Sequence, residues 1–313
     1  MSKAVGATKK AAASGSANST WLSALGQRAL TALVLIPIVI ALIFFGGWVA
    51  FAGAVVALAI GVSELHVMYR HDASKGWRPL TALIFGMGLL FLIAARVLIL
   101  AANPLAVLAI LALGISALIV LSFGWLLLTN RPYDHMLTDW ALTMGSAFYL
   151  GWPLAGLLVL RGDTLGAASA GFWWLLALFF MAWANDTFAL LTGHYFGRHK
   201  LAPHVSPAKT WEGFYGGLVF TVIAAFVFLM GLPTLFGHAL PVRWWDAIIL
   251  GILVALAATV GDLAESLLKR ATGVKDSGTI MPGHGGILDR MDSLLFVILV
   301  VLFYAAALHG IPL

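Results

Sequence analysis

The sequence predicts an all-α, polytopic integral membrane protein of about nine transmembrane helices, with its N-terminus in the cytoplasm. Three observations lead there. The chain of 313 residues is 62% hydrophobic and only 10% charged, with a mean hydropathy of +1.00. Apolar runs of about 20 residues recur along it, the length a helix needs to cross a bilayer. Lys and Arg collect in alternate connections. Cysteine is absent, which excludes a disulfide framework, a thiolate metal site and a cysteine nucleophile. The basic pI of 9.6 reads as topology and contact with anionic lipid, not as nucleic-acid binding.

Residues 1–27 are rich in Ala, Ser and Lys and read as a disordered cytoplasmic tail. The apolar segment from Ala29 is too long for a signal-peptide core, and no clear small-residue cleavage site follows it. Spans are expected at 29–45, 48–68, 80–101, 104–128, 140–160, 172–193, 213–232, 246–268 and 290–309. Five fall in an N-terminal group, 28–160, and four in a C-terminal group, 161–313, which carries the chemistry. Pro37 and Pro153 are expected to loosen their helices. No internal repeat of 20–50 residues is visible.

With the N-terminus inside, fifteen of the eighteen Lys and Arg lie on the cytoplasmic side. Arg161 and Arg243 fall outside, and Arg96 is expected to snorkel outward. Both polar stretches with chemistry, 194–212 and 269–289, then face the cytoplasm.

The densest charge lies between the last two spans. Residues 261–292 hold five carboxylates and four Lys or Arg, a costly placement beside membrane segments. Asp262, Glu265 and Ser266 share one helix face by their i, i+3, i+4 spacing. Two acids there repel unless a cation lies between them, and Mg²⁺ takes carboxylate and phosphate oxygens. An ion pair with Lys269 or Arg270 is the simpler use of one acid. Asp289 and Asp292 repeat the spacing at the start of the ninth span, where capping against the helix dipole, roughly 0.3–1 kcal/mol, is the alternative. The four acids beside Lys269, Arg270 and Lys275 favour a divalent-metal site. Between the pairs, Gly283-His284-Gly285-Gly286 suits either a phosphate nest or a tight turn.

The other loop offers Ser206, Pro207, Lys209 and Thr210 at the start of a helix, a setting for anions, but without the glycine pattern of a P-loop. Asp186 lies within the sixth span near its cytoplasmic end, where an acid has a function or a plain interhelical salt bridge. Glu64 and His66 end the second span and read as an interfacial anchor. Trp173-Trp174 and Trp244-Trp245 read as aromatic belts.

Two segments carry a family resemblance. Ser266, Leu268, Lys269, Arg270, Lys275, Asp276, Pro282, His284, Gly285, Gly286, Asp289, Arg290 and Asp292 match the signature of the phosphatidate cytidylyltransferases, also called CDP-diacylglycerol synthases. Asp186, Thr187, Gly193, Phe196, Gly197, Ser206, Pro207, Lys209, Thr210 and Gly213 match a second segment of that family. Met281 stands where an apolar residue is usual. Phe188 and Leu190 replace a small residue and a Tyr, which bears on the packing around Asp186.

The resemblance implies Mg²⁺-dependent condensation of CTP with phosphatidic acid, giving CDP-diacylglycerol and pyrophosphate, at the inner membrane of a bacterium. It implies a two-metal arrangement with Asp262 and Asp289 as ligands and Glu265, Asp292 and Asp186 supporting them. Lys209 and His284 join Asp262 and Asp289 as catalytic groups. Ser206, Lys209, Thr210, Ser266, Lys269, Arg270, Lys275, Gly285, Gly286 and Arg290 would hold substrate. The expected partners are CTP, phosphatidic acid and membrane lipids, with homodimerisation left open and no nucleic acid. A CTP-dependent enzyme acting on another lipid is the neighbouring reading. An ion-coupled transporter is the reading from another class, disfavoured because the acids gather at one face and no inverted halves are visible.

Overall fold

A computed structural model describes residue 33 and residues 35–101, 104–129, 133–280 and 285–309. The N-terminal tail, residues 29–32 and 34 of the first expected span, and Met281, Pro282, Gly283 and His284 lie outside these residues. The helices are α1 (Leu35–Phe45), α2 (Gly47–His71), α3 (Thr81–Ala101), α4 (Pro104–Leu128), α5 (Tyr133–Arg161), α6 (Ala170–Phe196), α7 (Trp211–Ala225), α8 (Leu232–Leu235), α9 (Trp244–Thr272) and α10 (Leu288–His309). Eight helical stretches among the described residues are long and apolar enough to cross a membrane, and the shorter apolar α1 precedes them. The protein is therefore a multi-pass α-helical membrane protein, close to the expected nine spans.

Local sequence explains the helix boundaries. Thr210 caps α7, its hydroxyl accepting from the Gly213 amide at 3.1 Å. Asp246 reaches back to the Arg243 amide at 2.6 Å to start α9, and Gly273, at φ +76°, ends it in the left-handed conformation that glycine favours. The seventh span is not one uniform helix. A π-helical turn at Phe226–Gly231 joins α7 to α8 just before Pro233, which has no amide to donate to the preceding turn. Pro153, by contrast, is accommodated inside an unbroken α5.

Two apolar clusters hold the bundle. One joins α2, α3 and α5 through residues such as Leu58, Leu65, Phe91 and Leu150. The other joins α6, the π turn and α9 through Trp174, Leu178, Leu229 and Val254. Helix α10 belongs to both, with Leu288 and Leu295 in the first and Val297, Ile298 and Val301 in the second. It is the spine between the halves. Small residues let helices meet closely: a Cβ on Gly151 of α5 would lie 2.6 Å from the Gly88 Cα of α3, and one on Gly261 of α9 would lie 2.6 Å from the Asp292 carbonyl oxygen of α10.

The two ends of the bundle differ in charge. One end carries Arg70, Lys75, Arg78, Arg198, Lys200, Lys209, Lys269, Arg270, Lys275 and Arg290 among the described residues; the other carries Arg96, Arg161 and Arg243. At the sparse end, Arg161 is buried and bonds the carbonyls of Ile43, Phe44 and Thr164. Arg96 does not snorkel. It is 5% exposed, paired with Asp163 and stacked over Trp48 at 4.4 Å. A nearby carboxylate offered the guanidinium a better partner than the bilayer surface.

Candidate active site

The basic end is built from three connections: residues 72–80, the segment 197–210, and the turn 273–287. The segment 197–210 is not a plain loop. It forms a hairpin of β1 (Lys200–Ala202) and β2 (Ser206–Thr210), antiparallel, pairing Lys200 with Thr210 and Ala202 with Ser206. It is the sole sheet among the described residues. Glu212 fastens its base, accepting from the Arg198 amide at 3.0 Å, the His199 amide at 3.2 Å and the His199 ring at 2.6 Å. Close contact between α6 and α7 sets its height. Gly193 and Gly213 face each other, and a Cβ on Gly217 would meet the Asn185 side-chain oxygen at 2.7 Å. Phe188 stacks on Phe220 at 3.5 Å, so the departure from the family pattern beside Asp186 is absorbed by a ring on α7.

The hairpin delivers Lys209 to α9, where its ammonium pairs with Asp262 at 2.6 Å. Ser266, one turn on, lies 3.4 Å from the other Asp262 oxygen. Asp186 stands about 15 Å, ten residues, from the end of α6. Its carboxylate receives Asn185 at 3.3 Å and Ser293 of α10 at 3.2 Å. Asp262, Asp292 and Asp186 are near enough for their charges to repel.

One turn nearer the helix ends lies a second tier. Lys269 bridges Glu265 at 2.8 Å and Asp289 at 2.7 Å. Glu265 is fully buried, and the Lys269 ammonium stands 2.8 Å from its Oε2. Such a carboxylate is costly to bury and fits a cation. Tyr149 of α5 brings its ring to 6.4 Å from Phe296. Its buried hydroxyl has no hydrogen-bond partner and feels the charges of Glu265, Asp292 and Asp262. Across both tiers, five carboxylates, those of Asp186, Asp262, Glu265, Asp289 and Asp292, gather around the ammonium groups of Lys209 and Lys269. No three His, Asp or Glu among the described residues form a ready-made metal cage.

Asp289 is the most engaged acid. Beside Lys269, its Oδ2 accepts from the Ser277 amide at 2.8 Å, the Ser277 hydroxyl at 2.9 Å and the Gly286 amide at 2.8 Å. The Gly286 amide therefore points at Asp289. Gly285, at φ +80°, has Asp289 Oδ2 only 2.5 Å from where a Cβ would lie, so any side chain there is both strained and blocked. Of the expected anion-holding groups, Lys275 and Arg290 are exposed, and exposed Arg270 reaches the Val205 carbonyl at 3.5 Å. Ser206 opens β2, and the Thr210 hydroxyl is occupied as the α7 cap. His284 lies outside the described residues.

The residue that sequence reasoning missed is Glu64. It is not an interfacial anchor. It is 3% exposed and accepts from the Ile287 amide at 2.8 Å, the Leu288 amide at 2.8 Å and the Ser277 hydroxyl at 3.1 Å. It caps α10 from another helix and fixes the glycine turn. Gly278 and Gly286 are small because their missing side chains make room for this carboxylate. The signal in the sequence was an acid inside an apolar span, which asks for a partner; 213 residues separate it from Ser277.

A membrane bundle with carboxylates, lysines and a glycine turn gathered at one pole defines a class: an intramembrane enzyme acting on anionic substrates. Comparison with known proteins then gives the family. The model of the cytidylyltransferase family matches residues 26–308, and the chain belongs to that family. It is a nucleotidyltransferase. A protein of Brucella abortus named phosphatidate cytidylyltransferase is 32% identical over 278 residues, covering 88% of this chain and 90% of the relative. One from Staphylococcus saprophyticus with the same name is 38% identical over 189 residues, covering 59% and 67%. A third, from Haemophilus influenzae, is 46% identical over 125 residues, which span 40% of this chain and 42% of that protein.

Proposed function

We propose that this protein transfers the cytidylyl group of CTP to phosphatidic acid, forming CDP-diacylglycerol and pyrophosphate at the cytoplasmic face of a bacterial inner membrane. The observation that carries the reading is the gathering of five carboxylates around two lysines at one pole of the bundle. A non-bonding oxygen of the lipid phosphate forms a bond to the α-phosphorus of CTP, the bond from that phosphorus to the β-bridging oxygen breaks, and pyrophosphate leaves with the electron pair. No strong base is required, because the attacking phosphate oxygen is already anionic.

Two anions must meet, so positioning and charge neutralisation supply the catalysis. Lys209, on a hairpin, and Lys269, between Glu265 and Asp289, would exchange carboxylate contacts for phosphate contacts as substrate enters. Mg²⁺ would be held by Asp262 and Asp289, with Glu265, Asp292 and Asp186 around it, and would supply charge neutralisation at the phosphates. Mg²⁺ sites of this kind use one or two carboxylates and complete their shells with water and phosphate, consistent with an incomplete cage. The buried carboxylate of Glu265, already beside the Lys269 ammonium, suits such a cation. Ser277, Gly285 and Gly286 hold the turn over the cleft. Acyl chains would enter sideways between helices.

Radiolabelled CTP supplied to the purified protein in detergent tests this reading, with phosphatidic acid as sole acceptor. The expected result is labelled CDP-lipid with Mg²⁺ and none after chelation. Transfer of only the γ-phosphate, giving CDP and a lipid pyrophosphate, would make the protein a kinase. Product with other lipids but not with phosphatidic acid would move it to a different acceptor.

A further inference from the structure

A second binding feature lies away from the catalytic pole. Between α2, α3 and α4, at the basic end of the bundle, a cavity of about 450 Å³ is lined by His66, Arg70 and Arg78 on its polar side and by Leu83, Leu121 and Trp125 among its apolar walls. On α2, His66 and Arg70 sit about 200° and 240° around the helix from Glu64, so the cavity and the catalytic turn use opposite faces of one helix. Arg70 lies 3.4 Å from His66 Nε2. The apolar wall is lipid-facing: only 11% of the α4 span is buried inside the protein, and Leu121 and Trp125 are exposed.

We infer that this groove binds an anionic phospholipid of the surrounding bilayer, with its phosphodiester at Arg70 and Arg78 and an acyl chain along Leu83, Leu121 and Trp125. The charge, the position and the wall chemistry each select that occupant. Two arginines at the end of membrane-spanning helices attract an anion at headgroup depth, and guanidinium groups match phosphate oxygens. The apolar wall excludes a free inorganic anion as the natural ligand, since half the groove would gain nothing from it. The connection forming the groove's rim also touches the catalytic end. Lys75 bonds the Ala271 carbonyl at the end of α9, two residues beyond Lys269, and the Arg78 amide donates to Asp139 of α5 at 2.6 Å. Occupation of the groove therefore braces the connection between α2 and α3, which touches the end of α9 through Lys75.

Native mass spectrometry of the full chain in detergent, titrated with equimolar phosphatidylglycerol and phosphatidylcholine, tests the inference. Phosphatidylglycerol is a diester and cannot serve as the acceptor in the proposed reaction, so its binding reports the groove independently of catalysis. The expected result is retention of phosphatidylglycerol over phosphatidylcholine by about tenfold or more, from two basic contacts. Arg70→Gln with Arg78→Gln should erase that preference, and Ala82→Trp, which fills the groove without removing charge, should lower retention of the bound lipid. Equal retention of the two lipids by the wild type, or an unchanged preference in both variants, would overturn the inference. So would binding of phosphatidic acid with exclusion of phosphatidylglycerol, which would make the groove a substrate vestibule.

Discussion

Asp262→Asn is expected to lower CDP-lipid formation by about a thousandfold, the scale of losing a key electrostatic group at a reacting phosphate, while the protein still inserts and folds. The side chain is partly open to the cleft and its structural partner is Lys209 at 2.6 Å. Removing its charge frees Lys209 and takes one oxygen donor from the seam between α9 and α10. The packing there does not depend on the carboxylate, because α9 and α10 meet through Gly261 and the backbone at Asp292 and Ser293. Lys209→Met removes the other half of the pair and should cost less, since Lys269 stays in place. Steady-state rates with CTP, set beside thermal unfolding in detergent, check the pair. A fall in activity matched by a fall in unfolding temperature would assign Asp262 to stability instead.

Glu64→Ala carries the second large effect. It leaves the Ile287 and Leu288 amides without their acceptor, while the Ser277 hydroxyl keeps Asp289, and each unsatisfied buried group costs about 1–3 kcal/mol. The start of α10 and Gly285–Gly286 before it should then lose their anchor, with turnover reduced by about a hundredfold, as expected when a positioning contact is lost. Glu64→Gln keeps one oxygen acceptor and should lie between the two. The signature that separates positioning from global destabilisation is a raised KM for CTP with faster proteolysis confined to the turn. Unchanged protection of the turn in Glu64→Ala would remove this carboxylate from the role described here.

Much of this was legible in the chain before any coordinates. The spans were readable because the bilayer imposes a length and a composition on each helix. The acids of α9 and α10 were readable because their i, i+3 spacing places them on one face, and the lysines because a charged run between membrane segments is rare. What escaped were contacts whose partners are far apart in the chain. Glu64 looked like an end marker until α2 packed beside the turn. Nothing in the sequence sets Tyr149 apart from the apolar span around it. Arg96 was assigned to the surface because Asp163 was not known to be its neighbour. The hairpin at Lys200–Thr210 also escaped, since its strands are short, one contains Pro207, and its stability comes from Glu212 and the α6–α7 contact more than from strand propensity.

The functions of individual groups shifted for the same reason. The glycine run at 283–286 suits a phosphate nest or a tight turn by sequence, and the Gly286 amide points at Asp289. The family resemblance gives Thr210 as a substrate contact, and its hydroxyl holds the first turn of α7. Only the three-dimensional neighbours reveal these partners.

The central claim is that acids from the last two membrane helices seat a divalent cation beside Lys209 and Lys269. Electron paramagnetic resonance of Mn²⁺ titrated into the purified protein measures this directly and without turnover. Saturable binding is expected in the wild type, weakened strongly in Asp262→Asn and in Asp289→Asn, with Glu212→Gln at the hairpin base unaffected. Identical Mn²⁺ binding by the wild type and by the Asp262→Asn, Asp289→Asn double variant would contradict it.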